Sequence, residues 1–252
     1  MCLIVFAYKT HPQYKLILAA NRDEYYDRPT IAAHWWEHHP DMLAGKDIKA
    51  GGTWLGVTKT GKLSALTNYR DPAAEEKETL SRGLLVRNFL AGKIGSEEYM
   101  IRLSEFADKY NGFNFLCGTI DKLHYFSNKG DGIYEVGPGI YGISNHLIDS
   151  LWPKVIKGKD FLKDLAGSDN ISTEAIFSML KETEIYPDNE LPDTGVGIEL
   201  ERILSAVFIK SPDYGTRSST VILVDNNNNC FFEERSFIPA QETIRHEFTI
   251  TE

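Results

Sequence analysis

The sequence predicts an α+β fold in which helices cover the outer faces of antiparallel sheets. β-prone runs and helical runs occur in separate blocks, in the order strands, helices, strands, helices, strands. Short polar turns join neighbouring β-prone runs, which is typical of antiparallel pairs. The 252 residues contain no internal repeat, low-complexity linker or break in composition, so we expect a single domain over residues 1–252.

Composition and charge exclude several classes of protein. Hydrophobic residues make up 42% of the chain and charged residues 25%, which is typical of a globular protein. The net charge of -9, without a long basic run, argues against nucleic acid and favours a small-molecule partner. No apolar run approaches the ~20 residues that span a bilayer, and the N-terminus lacks a secretory signal pattern. We therefore expect no stable membrane insertion and a cytoplasmic location, while the oligomeric state stays open.

The three cysteines are Cys2, Cys117 and Cys230. An odd number at wide spacing fits neither a disulfide framework nor a zinc site, and it indicates a reducing compartment. Cys117 lies in the apolar run FNFLCGTI, where a free cysteine acts as a small hydrophobe. Cys230 follows the asparagine run 226–229, and we expect it to be inert.

The opening element is a predicted hairpin, in which CLIVFAY and LILAA flank the polar turn HPQYK. The second run ends in four polar or charged residues, Asn21, Arg22, Asp23 and Glu24. The hairpin should return this NRDE cluster to the level of Cys2. Removal of Met1 would leave Cys2 with a thiol and an α-amine, which titrate near pH ~8.5 and ~8 and so exchange a proton readily. CLIVFAY is equally typical of an ordinary buried strand, so both interpretations stay open.

Residues 25–52 are irregular and contain two prolines, which predicts a long loop. Its histidines, His34, His38 and His39, have no cysteine or carboxylate set beside them, so we expect no metal site. TWLGVT and LSALTNY then flank KTGK and predict a second hairpin, which ends near Asn68 and Arg70.

Apolar spacings of three to four residues predict two helices over 80–110, followed by the strands FNFLCGTI, LHYFSN, GIYEVG and YGISNH. GPGIYG at 137–142 has the letters of a dinucleotide-binding motif, but it leads into a strand and we reject that interpretation. Two helices are predicted at 151–165 and 172–182, the second with Ser172 as N-cap. A loop, YPDNELPDTGVG, and three strands, LSAVFIK, TRSSTVILVD and CFFEERSF, complete the chain.

Separated motifs extend along nearly the whole chain: Cys2, the NRDE cluster, GGTWLGVT, LTNYRDP, SNH at 144–146, LPDTG and YGTRSST. Together they resemble the NRDE family, also called the transport and Golgi organisation protein 2 family. The resemblance implies an N-terminal-nucleophile (Ntn) hydrolase fold, a four-layer α-β-β-α sandwich whose N-terminal residue faces a cleft. We expect no cofactor.

The family is more remotely similar to cysteine Ntn amidases such as penicillin V acylase and bile salt hydrolase. The similarity implies that Cys2 is the nucleophile and, through its amine, the general base. Asp23 would hold the amine and Arg22 would favour the thiolate, although those amidases place their arginine at a slightly different offset. The alternative is a structural ion pair between Arg22 and Asp23.

Three further positions match the amidase pattern. The resemblance implies that Asn68 and Asn145 form an oxyanion hole, whose donors contribute ~3 kcal/mol each in hydrolases. It also implies that Arg217 steadies the site. The alternative for the asparagines is turn capping at strand ends. The alternative for Arg217 is to satisfy carbonyls at a sheet edge.

Three functions therefore compete. The first is a cysteine amidohydrolase that cleaves a non-peptide C–N amide bond through a thioester. The second is a carrier of haem or of acyl-coenzyme A or lipid-type ligands, since family members are associated with those ligands. The candidate ligand-binding residues are Asn21, Arg22, Glu24 and Arg70, and the phosphates of an acyl-coenzyme A would meet Arg22, Arg70 and Arg217. For haem we find only weak axial-ligand candidates near Trp35 and Trp36. The third is an interaction protein in which Cys2 has no chemical role.

Overall fold

A computed structural model describes residues 2–72, 79–168 and 170–251. In chain order the strands are β1 (Cys2–Tyr8), β2 (Tyr14–Tyr25), β3 (Thr30–Trp36), β4 (His39–Asp47), β5 (Leu55–Thr58), β6 (Lys62–Asn68), β7 (Phe113–Thr119), β8 (Lys122–Ser127), β9 (Ile133–Val136), β10 (Gly139–Ile143), β11 (Tyr214–Asp225), β12 (Asn229–Ser236) and β13 (Glu242–Thr249). The α-helices are α1 (Gly83–Ala91), α2 (Ser96–Ser104), α3 (Pro153–Ala166), α4 (Thr173–Leu180) and α5 (Ile198–Ser205).

The strands form two antiparallel sheets. The first has the order β10-β1-β2-β11-β12-β13, and the second has the order β3-β4-β5-β6-β7-β8-β9. Helices α3 and α4 pack on the outer face of the first sheet. Helices α1 and α2 pack on the outer face of the second sheet. The predicted α+β class and the four-layer α-β-β-α order are therefore confirmed.

The β1 strand is buried on both faces, which explains its unbroken apolar sequence. Leu3 and Val5 face the core under α3 and α4, whereas Ile4 and Phe6 face the core between the sheets. This follows from the alternation of side chains along a strand. Burial of each large apolar side chain contributes about 1.5–3 kcal/mol, so β1 is held firmly between β10 and β2. Cys2, at the first position, lies on the inner face.

Several predicted elements match the structure. The opening hairpin pairs β1 with β2, and the second hairpin pairs β5 with β6. Ser172 caps α4, since its Oγ accepts a hydrogen bond from the backbone N–H of Ala175 at 3.2 Å. The GPGIYG segment leads into β10, as predicted.

Three predictions were wrong. Residues 25–52 hold the β3–β4 pair rather than only a loop; β3 is an edge strand whose mixed aromatic pattern gives no clear alternation. LSAVFIK is not a strand: its first residues end α5, and an isolated bridge between Lys210 and Gly215 follows. The sequence prediction also missed β13, an edge strand without a buried apolar face. Among the described residues, no helix is long and apolar enough to cross a bilayer.

Candidate functional site

A cavity of about 480 Å³ opens at the ends of β1, β2 and β6. Five of the residues predicted from the sequence line it: Cys2, Arg22, Asp23, Glu24 and Asn68. The described lining also includes Trp54, Arg28, Asp47, and Arg82 beside the start of α1. The hairpin register explains the grouping, because Cys2 lies directly opposite Arg22 on the neighbouring strand.

Cys2 is half-buried at the wall of this cavity. Its carbonyl oxygen accepts a hydrogen bond from Ser144 Oγ at 3.1 Å. Burial raises the pKa of the Cys2 thiol, while the backbone N–H of Asp23 and the charge of Arg22 act in the opposite direction. The thiol therefore needs a base to become a strong nucleophile at neutral pH.

Asp23 is 1% exposed and lies opposite Thr216 of β11. Its Oδ1 accepts a hydrogen bond from Thr216 Oγ1 at 2.6 Å, and its carbonyl oxygen accepts one from the Tyr214 hydroxyl at 3.1 Å. Burial raises the pKa of Asp23, and the charge of Lys154 and the bond from Thr216 oppose that rise. Lys154 is itself buried on α3, and burial lowers its pKa to about 8. The carboxyl group is thus held rigidly beside Cys2.

Arg22 is 6% exposed and lies over the ring of Trp54, with 4.2 Å between the guanidinium carbon and the ring centroid. Its Nη2 is 4.0 Å from Glu24 Oε2, at the edge of ion-pair distance. Nη1 has no hydrogen-bond partner among the residues that the structure describes. Successive side chains leave opposite faces of a strand, so Arg22 and Asp23 diverge, and no ion pair joins them within the described residues.

Asn68 and Asn145 meet at the end of β6. Asn145 Nδ2 donates to the Asn68 carbonyl at 2.9 Å, and the Arg70 backbone N–H donates to the Asn145 carbonyl at 2.7 Å. Asn68 lines the cavity, whereas Asn145 is 0% exposed and does not. The SNH segment is therefore locked against β6, behind the cavity wall.

A second polar network fixes the same segment from the other side. Thr67 Oγ1 donates to the Ser144 carbonyl at 2.5 Å, and Asn114 Nδ2 donates to the His146 carbonyl at 2.9 Å. The Tyr125 hydroxyl donates to Asn114 Oδ1 at 2.7 Å. These buried side chains give the cavity wall a single arrangement.

Asn21 belongs to the NRDE cluster but is not brought to the cavity. It lies on the helix side of β2, where its Nδ2 donates to the carbonyls of Leu180 and Val207, both at 2.8 Å. Its Oδ1 accepts a hydrogen bond from Ser219 Oγ at 2.6 Å. These bonds tie β2 to the last residue of α4 and to the segment that follows α5.

Arg70 and Arg217 also lie outside the described lining of this cavity. Arg70 Nη1 forms an ion pair with Glu201 Oε2 at 2.6 Å, and the guanidinium lies over the ring of Trp152. Arg217 sits at a bulge of β11 and donates to the carbonyls of Tyr25 and Arg28. Arg217 therefore satisfies carbonyls, as its alternative interpretation states, but at the end of the inner strand β2 rather than at a sheet edge.

Sequence reasoning missed several residues of this site, among them Arg28, Asp47 and Arg82 of the cavity lining. Trp54 and Thr216 lie inside the motifs GGTWLGVT and YGTRSST, so the motifs held a signal for them. Glu201 and Lys154 lie in helices without a local motif. No group of three or more His, Cys, Asp or Glu in the described part of the chain could hold a metal ion.

Comparison with known sequences identifies the family. Residues 1–239 match the profile of the family described as Transport and Golgi organisation 2. The "Transport and Golgi organization protein 2 homolog" of Bos taurus is 39% identical over 275 residues, covering 99% of both chains. The chain belongs to the Transport and Golgi organisation 2 family. The resemblance drawn from the NRDE and accompanying motifs is confirmed.

Solved structures similar to this member of the Transport and Golgi organisation 2 family show the fold. A conjugated bile acid hydrolase mutant from Clostridium perfringens has a TM-score of 0.56 at 9% identity, covering 100% of this chain and 97% of that chain. Penicillin V acylase from Agrobacterium tumefaciens has a TM-score of 0.52 at 11% identity, covering 98% and 86%. Both have the Ntn-hydrolase fold, so the layered sandwich of this chain is an Ntn-hydrolase fold.

Proposed function

We propose that this chain is a cysteine N-terminal-nucleophile amidohydrolase that cleaves a non-peptide C–N amide bond of a small acylated molecule after removal of Met1. The observation that carries the proposal is the position of Cys2. It stands at the start of a central strand, on the wall of a 480 Å³ cavity, beside Asp23 and opposite Arg22. A cavity of that volume suits a small molecule.

The chemistry follows from two groups on one residue. The Cys2 sulfur attacks the amide carbonyl carbon, and the thiol proton passes to the α-amine of Cys2. As the tetrahedral intermediate collapses, the C–N bond breaks and the leaving amine takes that proton from the ammonium group. Water then attacks the thioester with the α-amine as base, which releases a carboxylic acid and restores the thiol.

Neighbouring groups have distinct parts in this proposal. The Asp23 carboxylate orients the ammonium form of the Cys2 amine, and Thr216 fixes that carboxylate. The Asn68 backbone N–H stabilises the oxyanion. Loss of one such donor lowers kcat by about 100-fold in well-studied hydrolases. Asn145 lies behind the cavity wall and acts through Asn68, because its Nδ2 donates to the Asn68 carbonyl, so replacing Asn145 should disturb that donor.

The first test is the intact mass of the purified protein, because a retained Met1 leaves no free Cys2 amine. The second is hydrolysis of a panel of acyl amides of 7-amino-4-methylcoumarin. Cys2→Ala and Cys2→Ser should abolish release of the fluorophore, whereas Cys117→Ala, at a buried thiol of β7, should retain it. Equal turnover by Cys2→Ala and the unchanged protein would refute the proposal.

A second candidate function is a carrier of acyl-coenzyme A-type ligands in the same cavity. Three arginines, Arg22, Arg28 and Arg82, line it and suit phosphate groups. Haem has less support, since no histidine occurs in the described lining. As a carrier, the protein should bind palmitoyl-coenzyme A equally well with Cys2→Ala and more weakly with Arg22→Gln. Unchanged affinity in Arg22→Gln would exclude the NRDE cluster as the binding site.

A further inference from the structure

A second cavity, of about 270 Å³, lies behind the first. Arg22 and Trp54 line both cavities, so their stacked side chains form the shared wall. The smaller cavity also contains Arg217 and Glu234, together with apolar side chains such as Ile238. This chamber adjoins the cavity that Cys2 lines.

The two arginines of this chamber are buried with donors left over. Arg22 is 6% exposed and Arg217 is 4% exposed. Arg22 Nη1 and Arg217 Nε have no hydrogen-bond partner among the described residues. Both side chains line the same cavity. Burial lowers the pKa of Arg217, and the like charge of Arg22 lowers it further. Buried charged donors without acceptors are strongly unfavourable unless a ligand supplies the acceptor.

The acidic side chains of the chamber do not supply that acceptor. Glu234 is 2% exposed, and its Oε1 accepts a hydrogen bond from the Ala33 backbone N–H at 2.8 Å. Its Oε2 accepts from Thr220 Oγ1 at 3.4 Å, and no ion pair joins it to either arginine within the described residues. Glu242 lies at the exposed rim, where water screens its charge.

We propose that the smaller cavity is a subsite for a carboxylate on the ligand, with Arg22 and Arg217 as its hydrogen-bond donors. The two oxygens of a carboxylate can each accept one charge-assisted hydrogen bond, one from Arg22 Nη1 and one from Arg217 Nε. A single negative charge fits better than the larger charge of a phosphate monoester, because Glu234 and Glu242 share the lining. The volume admits a short group, and the apolar wall suits a few methylene units.

The position relative to Cys2 narrows the ligand further. This step depends on the amidase proposal, because it takes Cys2 as the attacking group. Arg22 is the direct cross-strand partner of Cys2, and neighbouring strands lie about 5 Å apart. Arg22 therefore lies between Cys2 and the smaller cavity, with the carboxylate on its other side. The substrate class is a small N-acyl compound that also carries a carboxylate.

Binding of butyrate to the Cys2→Ala protein tests the subsite without turnover. The side-chain Nε–H signals of Arg22 and Arg217 can be followed by ¹H–¹⁵N NMR, with neutral butyramide as the matched probe. We expect butyrate to shift both signals, and butyramide to shift neither. Arg217→Gln should weaken butyrate at least tenfold, whereas Arg102→Gln, an exposed arginine of α2, should leave its affinity unchanged.

A cavity-filling variant, Ser236→Leu, keeps both arginines and should also abolish butyrate binding, so the test does not rest on Arg217 alone. Equal shifts with butyramide, or unchanged butyrate affinity in a folded Ser236→Leu protein, would overturn the subsite. Butyrate binding without amide turnover would support the subsite and count against the amidase proposal alone. Amide turnover without butyrate binding would support the amidase proposal and count against the subsite alone.

Discussion

The buried ion pair between Arg70 and Glu201 yields a prediction that needs no substrate. The two charged groups are 2.6 Å apart, and their side chains are 6% and 3% exposed. Glu201 Oε1 also accepts hydrogen bonds from the Thr194 backbone N–H at 2.9 Å and from its hydroxyl at 2.5 Å. Glu201→Gln preserves volume but leaves the buried Arg70 opposite a neutral amide.

Removal of one partner from a buried pair lowers the free energy of unfolding by about 3–5 kcal/mol. Arg70 keeps its stacking on Trp152, so we expect the lower value. At about 2–4 °C of Tm per kcal/mol for a chain of this size, Glu201→Gln should lower Tm by roughly 6–12 °C.

The matched control lies in the same helix. Glu199→Gln removes an exposed ion pair with Arg202, and exposed pairs contribute little to stability. Thermal unfolding followed by circular dichroism compares the two variants under identical conditions. If Glu201→Gln melts at the same temperature as Glu199→Gln, the buried pair does not hold the LPDTG loop and α5 against the end of β6.

Three further predictions concern stability. Asn21→Ala leaves two buried carbonyls without donors and should lower the free energy of unfolding in urea by about 2–4 kcal/mol, with Asn21→Asp no better. Hydrogen bonds from Arg28 outweigh the effect of burial and lower the pKa of Asp47. This ion pair therefore stabilises the fold above about pH 4, and its contribution is lost as the pH falls below that value. The Tm difference between the unchanged protein and Asp47→Asn should shrink at acid pH. Gly118→Ala places a Cβ 2.1 Å from the Lys122 carbonyl oxygen, so it should lower the free energy of unfolding in urea by about 1–3 kcal/mol. An unchanged midpoint of urea unfolding would contradict that close approach.

The sequence predicted the local part of the site best. A short polar turn between two β-prone runs determines which strands pair, and the NRDE cluster therefore had to return near Cys2. The structure places Arg22 directly opposite Cys2. Alternation along β2 also explains why the cluster divides, with Arg22 on the inner face and Asn21 on the helix side. Periodicity alone could have made that distinction, because it depends on a repeat of two residues.

Long-range polar contacts could not be predicted in this way. Glu201 connects the LTNYRDP and LPDTG motifs. It forms an ion pair with Arg70 of the first motif and accepts a hydrogen bond from Thr194 of the second. Nothing near it in the chain marks it, because a glutamate in a short helix is usually exposed. Likewise, Lys154 lies on α3 and acts on Asp23 of β2. Contacts between layers depend on how the sheets and helices stack, which local patterns do not specify.

Arg217 shows that a motif predicts a location more reliably than a role. It lies in YGTRSST, near the NRDE cluster as expected, but a bulge in β11 between Thr216 and Ser218 removes it from the regular pairing. Bulges redirect a side chain, and this one leaves Thr216 on Asp23 while Arg217 reaches the smaller cavity. Thr216 meets Asp23 on the helix side of the sheet, whereas Arg217 lies with Arg22 at the smaller cavity, so these adjacent residues serve opposite faces. One motif therefore supports the proposed nucleophile and the proposed carboxylate subsite together.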